Sequence, residues 1–460
     1  MKTSSSLSIP KLREDLTGRV IAPDDDGYDE ARTVFVGGVD RRPAVIARVA
    51  NATDVSRVVS LARETGIDLA VRGGGHSGPG FGVCDDGIVL DLSAMKGLDI
   101  DPDGRSAWAE TGLTAGEYTN AAAAHGLATG FGDTGSVGIG GLTLGGGLGF
   151  LLRKHGLTID DLLAAEIVTA DGEILHVDDE KHPDLFWAIR GGGGNFGVAT
   201  RFRFRLHGVP SIVGGILMLP ATPEVIMSFV EEAEAAPEEL TTIANVMKAP
   251  PMPFIPEEHH GALAIFALIA YAGDTDAGER AVAPFRTLAE PLADMIRPMT
   301  YPEIYLPDDE DYHPNAVGRT RFTQHLDQDT AATILDGISA SSAMMAVTQI
   351  RALGGAMARV PADSTAFAHR GSRLMMTVAA VYERMEETPQ HQGWVDDLAG
   401  TLLQNDDGAY VNFLNEEGEA GVRDAYPGAT WDRLTEIKRR YDPTNLFRLN
   451  QNIPPATEGS

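Results

Sequence analysis

The chain of 460 residues has a single cysteine, Cys84, so it cannot form an internal disulfide, which suits a reducing compartment. No apolar run approaches the ~20 residues that a membrane-spanning helix requires. Met1-Lys2 is followed by Thr-Ser-Ser-Ser rather than an apolar core, so no signal peptide is expected and the chain reads as cytoplasmic. Cations are scarce: 37 Lys+Arg stand against 66 Asp+Glu, a formal net charge of -29. That balance repels phosphate backbones and anionic lipid, which argues against nucleic acid or membrane as a partner. Internal repeats and low-complexity tails are absent too, and no metal site is expected. Oligomeric state is not legible in the chain.

What the chain has is length for large cores, 43% hydrophobic residues, and glycine. The length suggests two domains, or one domain with an insertion. The 52 glycines are clustered. Val71-Arg72-Gly73-Gly74-Gly75-His76-Ser77 follows an alternating stretch, Ile67 to Val71, that reads as a short buried strand. Three glycines let the backbone turn sharply and approach an anion. Their successive N–H groups can form a nest for phosphate oxygens, with Arg72 as a counter-charge. His76 ends the loop with a nucleophilic ring nitrogen.

Around this loop the pattern is regular. Arg42 to Val49 alternates as a strand. Thr53 is placed to cap a helix whose apolar face is Val55, Val58, Val59 and Ala62 and which stops at Gly66. Ile88 to Leu92 is a further strand. Hairpins are expected around Pro102-Asp103-Gly104 and at Asp171-Gly172, the latter within Glu166 to Leu175. Arg201 to Leu206 alternates as a half-buried strand whose basic side reads as a solvated face. A second glycine cluster runs from Gly130 through Gly135-Ser136-Val137-Gly138-Ile139-Gly140-Gly141 to Gly149. No clear strand precedes it and no helix with an acidic residue at the proper distance follows, which argues against a Rossmann dinucleotide site.

After Pro210 glycines thin out. Strands at 263–268 and 374–379 and helices at 222–234, 276–289 and 328–339 indicate a second α+β unit. Near the end, Trp431, Leu434, Ile437 and Tyr441 share one face of a helix that stops before Pro443.

Three signatures carry a family resemblance. They are Arg72 to Ser77, the run from Val137 to Gly149, and the tail Tyr441-Asp442-Pro443-Thr444-Asn445-Leu446-Phe447 with Gln451-Asn452-Ile453-Pro454-Pro455. In this order they closely resemble the berberine-bridge-enzyme-like branch of FAD-linked oxidases, in the vanillyl-alcohol oxidase superfamily, over residues 35 to 455. The resemblance implies an α+β fold: a two-part FAD-binding domain with an inserted substrate domain built on an antiparallel sheet covered by helices. Its divisions are an N-terminal arm (1–34), the FAD domain (35–209), the substrate domain (210–420) and a returning C-terminal segment (421–460).

The resemblance also implies FAD as cofactor, held by Arg72, Gly73, Gly74, Gly75, His76, Ser77, Asp133, Thr134, Ser136, Val137, Gly138, Gly140, Gly141, Gly145, Gly197, Val198, Asn412 and Asn450. His76 is expected to bond covalently to the flavin 8α-methyl. Many relatives add a second link through a cysteine on the second loop. Thr134 stands there, so one link is expected. Val137 occupies the place of a small gate over the flavin face and leaves room for dioxygen. In Tyr410-Val411-Asn412, read as a strand, Tyr410 and Asn412 point to one side. By resemblance Tyr410 is the candidate base and Asn412 its neighbour near the flavin, although a buried tyrosine must have its pKa lowered from about 10 to act as a base. His369-Arg370 reads as structural or substrate-shaping, and Met375 and Met376 replace a tyrosine or acidic residue of some relatives.

The function implied is an oxidase acting on a C–H next to O or N of a small molecule, an alcohol or amine of a secondary metabolite, alkaloid or sugar, with dioxygen reduced to peroxide. An oxidative cyclase, a dehydrogenase using another acceptor, and a non-catalytic flavin-binding protein are the alternatives.

Overall fold

The computed structural model describes residues 7–307, 309, 311–402 and 408–457. The opening stretch read above for a signal peptide, Met1 to Ser6, lies outside them. Among the described residues no helix is long and apolar enough to cross a membrane.

Strands β1 (Arg19–Ile21), β2 (Val45–Arg48), β3 (Leu69–Arg72) and β4 (Ile88–Asp91) form a sheet in the order β1-β2-β4-β3. β4 runs parallel to β2 and to β3. Parallel strands need a crossover connection, and the helix Ala52–Thr65 supplies one from β2 to β3, leaving room for β4 between them. Its expected apolar face, Val55, Val58, Val59 and Ala62, is fully buried, and Gly66 ends it in the left-handed conformation. The cap is Asn51 rather than Thr53. Asn51 accepts from the Asp54 N–H, while the buried Asp54 carboxylate accepts the N–H groups of Thr17, Gly18 and Ala50, so the helix starts earlier than Thr53 would set it. The N-terminal stretch is more than an arm. β1 pairs with the edge of β2, and Leu12, Leu16 and Val20 join the core under the helix, because an open β2 edge would leave its backbone groups unpaired.

A second, antiparallel sheet has the order β5-β6-β9-β7-β8, from β5 (Leu98–Asp101), β6 (Ser106–Glu110), β7 (Leu162–Val168), β8 (Ile174–Val177) and β9 (Val198–Arg205). Both expected hairpins are there. β9 buries Phe202 and Phe204 and exposes Arg201, Arg203 and Arg205. Arg201 lies over Trp108 and pairs with Glu166, so the basic stripe is a solvated face.

The third sheet is antiparallel and larger. β10 (Ile212–Pro220), β11 (Leu240–Lys248), β12 (Leu263–Tyr271), β13 (Asn315–Thr323), β14 (Met345–Ala352) and β15 (Leu374–Tyr382) lie in the order β10-β12-β11-β14-β15-β13, with two short strands against β10. Helices Pro223–Ala235, Thr275–Arg286, Gln328–Ala340 and Thr388–Leu402 cover one face. The other face turns towards the glycine-rich segments, with Phe150 and Leu151 packed on Ile216, Met218 and Ile243.

Two buried ion pairs tie the parts together. Arg370, 2% exposed, grips both oxygens of Asp160 at 2.7 and 2.8 Å. The helix Ala429–Tyr441 buries Trp431, Leu434 and Ile437 and also Lys438. The Lys438 ammonium donates to Asp442 (2.7 Å), to the Asn195 carbonyl (2.8 Å) and to the Phe447 carbonyl (3.0 Å), while Asp442 accepts the N–H groups of Leu446 and Phe447. The Asp442 to Phe447 signature is thus a buried turn that clasps the Gly191–Asn195 loop.

Candidate active site

β3 delivers the first glycine loop beside the second. A Cβ on Gly74 would collide with the Gly138 amide, and one on Gly138 with the Gly74 amide. Two runs far apart in sequence therefore meet backbone to backbone, which only glycine permits. Gly75 has φ +74, and the next residue, His76, stacks on Phe35 with ring centroids 4.3 Å apart. The Phe35 N–H donates to the Gly75 carbonyl at 3.1 Å. Ser77 accepts the Phe81 N–H, closing its own turn. Arg72 departs from its expected role as a counter-charge for phosphate. Its guanidinium is buried against Asp91 at 3.0 Å and the Ala31 carbonyl at 2.6 Å, where it shares the wholly buried Asp91 carboxylate with Arg48 at 2.8 Å.

Along the second run, the Val137 carbonyl accepts the Ala115 N–H at 2.8 Å, and a Cβ on Gly74 would also press on the Ser136 carbonyl. Gly140 rests on Thr111, whereas a Cβ on Gly141 would meet nothing within 4 Å. Any side chain on Gly145 would strike the Asn412 amide. Thr134 donates to Asp133 at 3.2 Å, and the other Asp133 oxygen pairs with Arg351 of β14.

Tyr410 and Asn412 do meet, but not on a strand. Tyr410 is extended and opens a 3-10 turn, Val411–Phe413. Among the described residues only Gly408 bridges to Phe322 of β13, and from Val411 the backbone turns as a 3-10 helix, so period-two alternation does not apply to Tyr410 and Asn412. The turn brings the side chains together directly. The Tyr410 hydroxyl accepts the Gly147 N–H at 2.9 Å and the Asn412 amide N–H at 3.0 Å; Asn412 also donates to the Leu142 carbonyl. Burial pushes the phenol pKa up, while the Gly147, Asn412 and Leu148 N–H groups and the Arg351 charge pull it down, with burial prevailing. The lowering asked of a tyrosine base is present as separate contributions, not as the net result.

The residues from the other parts sort differently. Asn450 donates to the Gly194 and Phe447 carbonyls, while its side-chain oxygen and that of Asn452 are buried without a partner among the described residues. Gly197 has φ +153 and a Cβ there would strike Ile167 and Val168, and the Val198 side chain sits in the core under the Ala52–Thr65 helix. These two serve sheet packing, so only their backbone groups could face a cofactor. His369 stacks on Phe322 at 4.8 Å and bonds to the Ala425 carbonyl, with burial holding its pKa down. Arg370 is the Asp160 clamp. Met375 is fully buried on β15.

Sequence reasoning missed Arg351, Gln349 and Asn245. Arg351 lies 5.4 Å above the Phe413 ring and donates to Gln349 at 2.7 Å; Gln349 in turn donates to Asn245 at 2.9 Å. The available signal was an amide side chain, Asn245 and Gln349, in the middle of each of two strand-forming stretches. Two loops that exclude side chains between them, with orphaned amide oxygens at Asn450 and Asn452, fit a cofactor carrying a diphosphate and polar rings. FAD is such a group.

Comparison with known proteins agrees. A family model described as an FAD binding domain matches residues 43–178, and one described as berberine and berberine like matches residues 409–454. The (R)-6-hydroxynicotine oxidase of Paenarthrobacter nicotinovorans is 31% identical over 475 residues, covering 99% of this chain and 100% of that one. The glucooligosaccharide oxidase of Sarocladium strictum is 27% identical over 94% of this chain and 91% of its own. The crystal structure of 6-hydroxy-D-nicotine oxidase from Arthrobacter nicotinovorans superposes with a TM-score of 0.86 at 28% identity, over 99% of this chain and 100% of that one. With matching models towards both ends and relatives along its whole length, this chain belongs to the berberine-bridge-enzyme-like family of FAD-linked oxidoreductases.

Proposed function

We propose that this oxidoreductase is an oxidase that withdraws a hydride from a C–H next to O or N while Tyr410 receives the proton of the adjoining O–H or N–H. The FAD it binds would take the hydride and hand two electrons to dioxygen, which with two protons becomes hydrogen peroxide. The chain's own part is to hold and to polarise. The paired loops Gly73–Ser77 and Asp133–Gly141, with Gly145, Asn412 and Asn450, hold the cofactor. His76 carries it covalently and alone. Cys84 is buried in the core of the first sheet, with burial first among the causes that raise its thiol to about 11.

The observation that carries this reading is the Tyr410 oxygen. Two N–H donors occupy its acceptor positions, an arrangement that favours the phenolate, and Arg351 adds positive potential. The phenol proton, or its absence, is then directed away from these donors and towards a reacting hydroxyl.

Tyr410→Phe keeps the ring and removes the oxygen. Anaerobic flavin reduction should fall by about 10²–10⁴-fold, with FAD retained. Reduction at the wild-type rate would return Tyr410 to a pocket wall. Val137, partly exposed beside Gly138, is proposed as the oxygen gate. Val137→Leu should slow reoxidation by dioxygen and leave anaerobic reduction unchanged; equal slowing of both half-reactions would remove it from that role.

A further inference from the structure

The registers of the third sheet lay out the side chains of its open face in rows. In one row Arg351 stands opposite Ile243 and Met375, and Met375 opposite Phe322. Two residues further along, Gln349 stands opposite Asn245 and Thr377, and Thr377 opposite Thr320. The first row is buried beneath the reacting centre: Phe322 and Met375 pack with Tyr410, and Arg351 with Asp133 and Phe413. The second row is polar, whereas the next row on the same face, Met247, Val347, Ala379 and Gly318, has no polar side chain. The Thr320 and Thr377 hydroxyls bond at 2.8 Å, and Gln349 bonds to Asn245 at 2.9 Å.

Asn245, Gln349 and Thr377 also remain partly exposed at the centre of interior strands. Their immediate neighbours, such as Ala244, Val246, Ile350 and Val378, are buried on the helix face. A side chain in the middle of an interior strand keeps such exposure only where its face opens onto a cleft, and polar groups there cost stability unless something bonds them. Neither row contains an acidic residue, and the one charge, Arg351, is neutralised by Asp133.

We propose that Asn245, Gln349 and Thr377, with the buried Thr320 behind Thr377, form the recognition floor for an uncharged, hydroxyl-bearing substrate, and that it selects against protonated amines. The proposal rests on the oxidase reading above and narrows it from alcohol or amine to alcohol. Amides and hydroxyls each donate and accept, which matches a substrate hydroxyl. A cation would meet Arg351 with no unpaired carboxylate in these rows, and would lose its hydration without a counter-charge. Phe322 and Met375 supply an apolar wall one row nearer the chemistry.

The test uses the holoenzyme and a matched pair, cinnamyl alcohol and cinnamylamine at pH 7, with cellobiose as a polyhydroxylated probe. Binding is followed anaerobically by the change in flavin absorbance. At least one neutral probe should bind at a tenfold lower concentration than the amine. Gln349→Leu should weaken that binding about fivefold to tenfold, the worth of one hydrogen bond, with kcat changed less than threefold, because only uniform binding is lost. Thr377→Val, a substitution of the same shape, should act in the same direction and carries the test if the leucine variant fails to fold.

Amine binding as tight as alcohol, no binding by any neutral probe, or variants that bind like wild type would each overturn the proposal. So would a fall in kcat at constant KM. A neutral probe that binds and responds to Gln349→Leu yet never reduces the flavin would overturn the oxidase reading and leave this floor standing. Bleaching by the amine alone would do the reverse.

Discussion

Tyr410 is a tyrosine whose burial and whose hydrogen bonds pull in opposite directions. Burial raises its pKa above the ordinary value near 10, so the base form grows with rising pH throughout the neutral and alkaline range. The rate of anaerobic flavin reduction should accordingly climb from pH 7 to 10 without a plateau, and Tyr410→Phe should flatten that slope. A wild-type profile that levels off below pH 8 would mean that another group takes the proton. At His76 the relevant neighbour is Phe35, stacked on the imidazole and bonded to the Gly75 carbonyl. If His76 carries the flavin, acid-precipitated wild type stays yellow and His76→Ala releases its FAD. Phe35→Ala should retain FAD under native conditions but convert it to the acid-stable form several-fold more slowly, since the ring no longer fixes the imidazole plane. Equal conversion in both proteins would leave Phe35 as packing alone.

Between elements, the Arg370–Asp160 clamp joins the segment after β14 to the 3-10 turn Thr158–Asp160. Asp160→Asn keeps the shape but leaves the buried guanidinium uncompensated. It should destabilise the protein by about 3–5 kcal/mol, measured as a lowered urea midpoint; an unchanged midpoint would show that the pair contributes nothing net. Elements were also the level at which the sequence spoke most clearly. The Ala52–Thr65 helix, the two hairpins and the alternation of Phe202 and Phe204 are local patterns, and each was legible to within a few residues. Tyr410 with Asn412 was legible as a pair but not as a turn, because alternation says nothing about where a ladder stops. Arg351, Gln349 and Asn245 were not legible as a group. Period two tells which residues of a strand share a face, but not that β14 inserts between β11 and β15 to set Gln349 beside Asn245. Arg72 misled for a related reason: its partner, Asp91, is adjacent only through the parallel pairing of β3 and β4.

Over the whole molecule, a net charge of -29 sets up a field that gathers cations and does nothing for neutral molecules. For an uncharged alcohol, kcat/KM should change less than twofold between 20 mM and 500 mM salt, about the range over which the Debye length contracts from some 20 Å to below 5 Å. A steep decline with salt would point to a cationic substrate.

The two faces of the third sheet carry separate burdens. The side facing the helices holds Ile350, Met376, Val246 and their partners in a closed core, while Gln349, Thr377 and Asn245 look the other way from the same strands. Alternation along a strand insulates one set from the other, so an exchange in the outward set leaves the helix packing intact. Such a scaffold can be retargeted by a handful of point changes without first acquiring spare stability. A combinatorial library confined to positions 245, 349 and 377 should therefore yield mostly folded, yellow protein with scattered preferences. A scan of the adjoining positions 246, 350 and 376 should yield mostly aggregates.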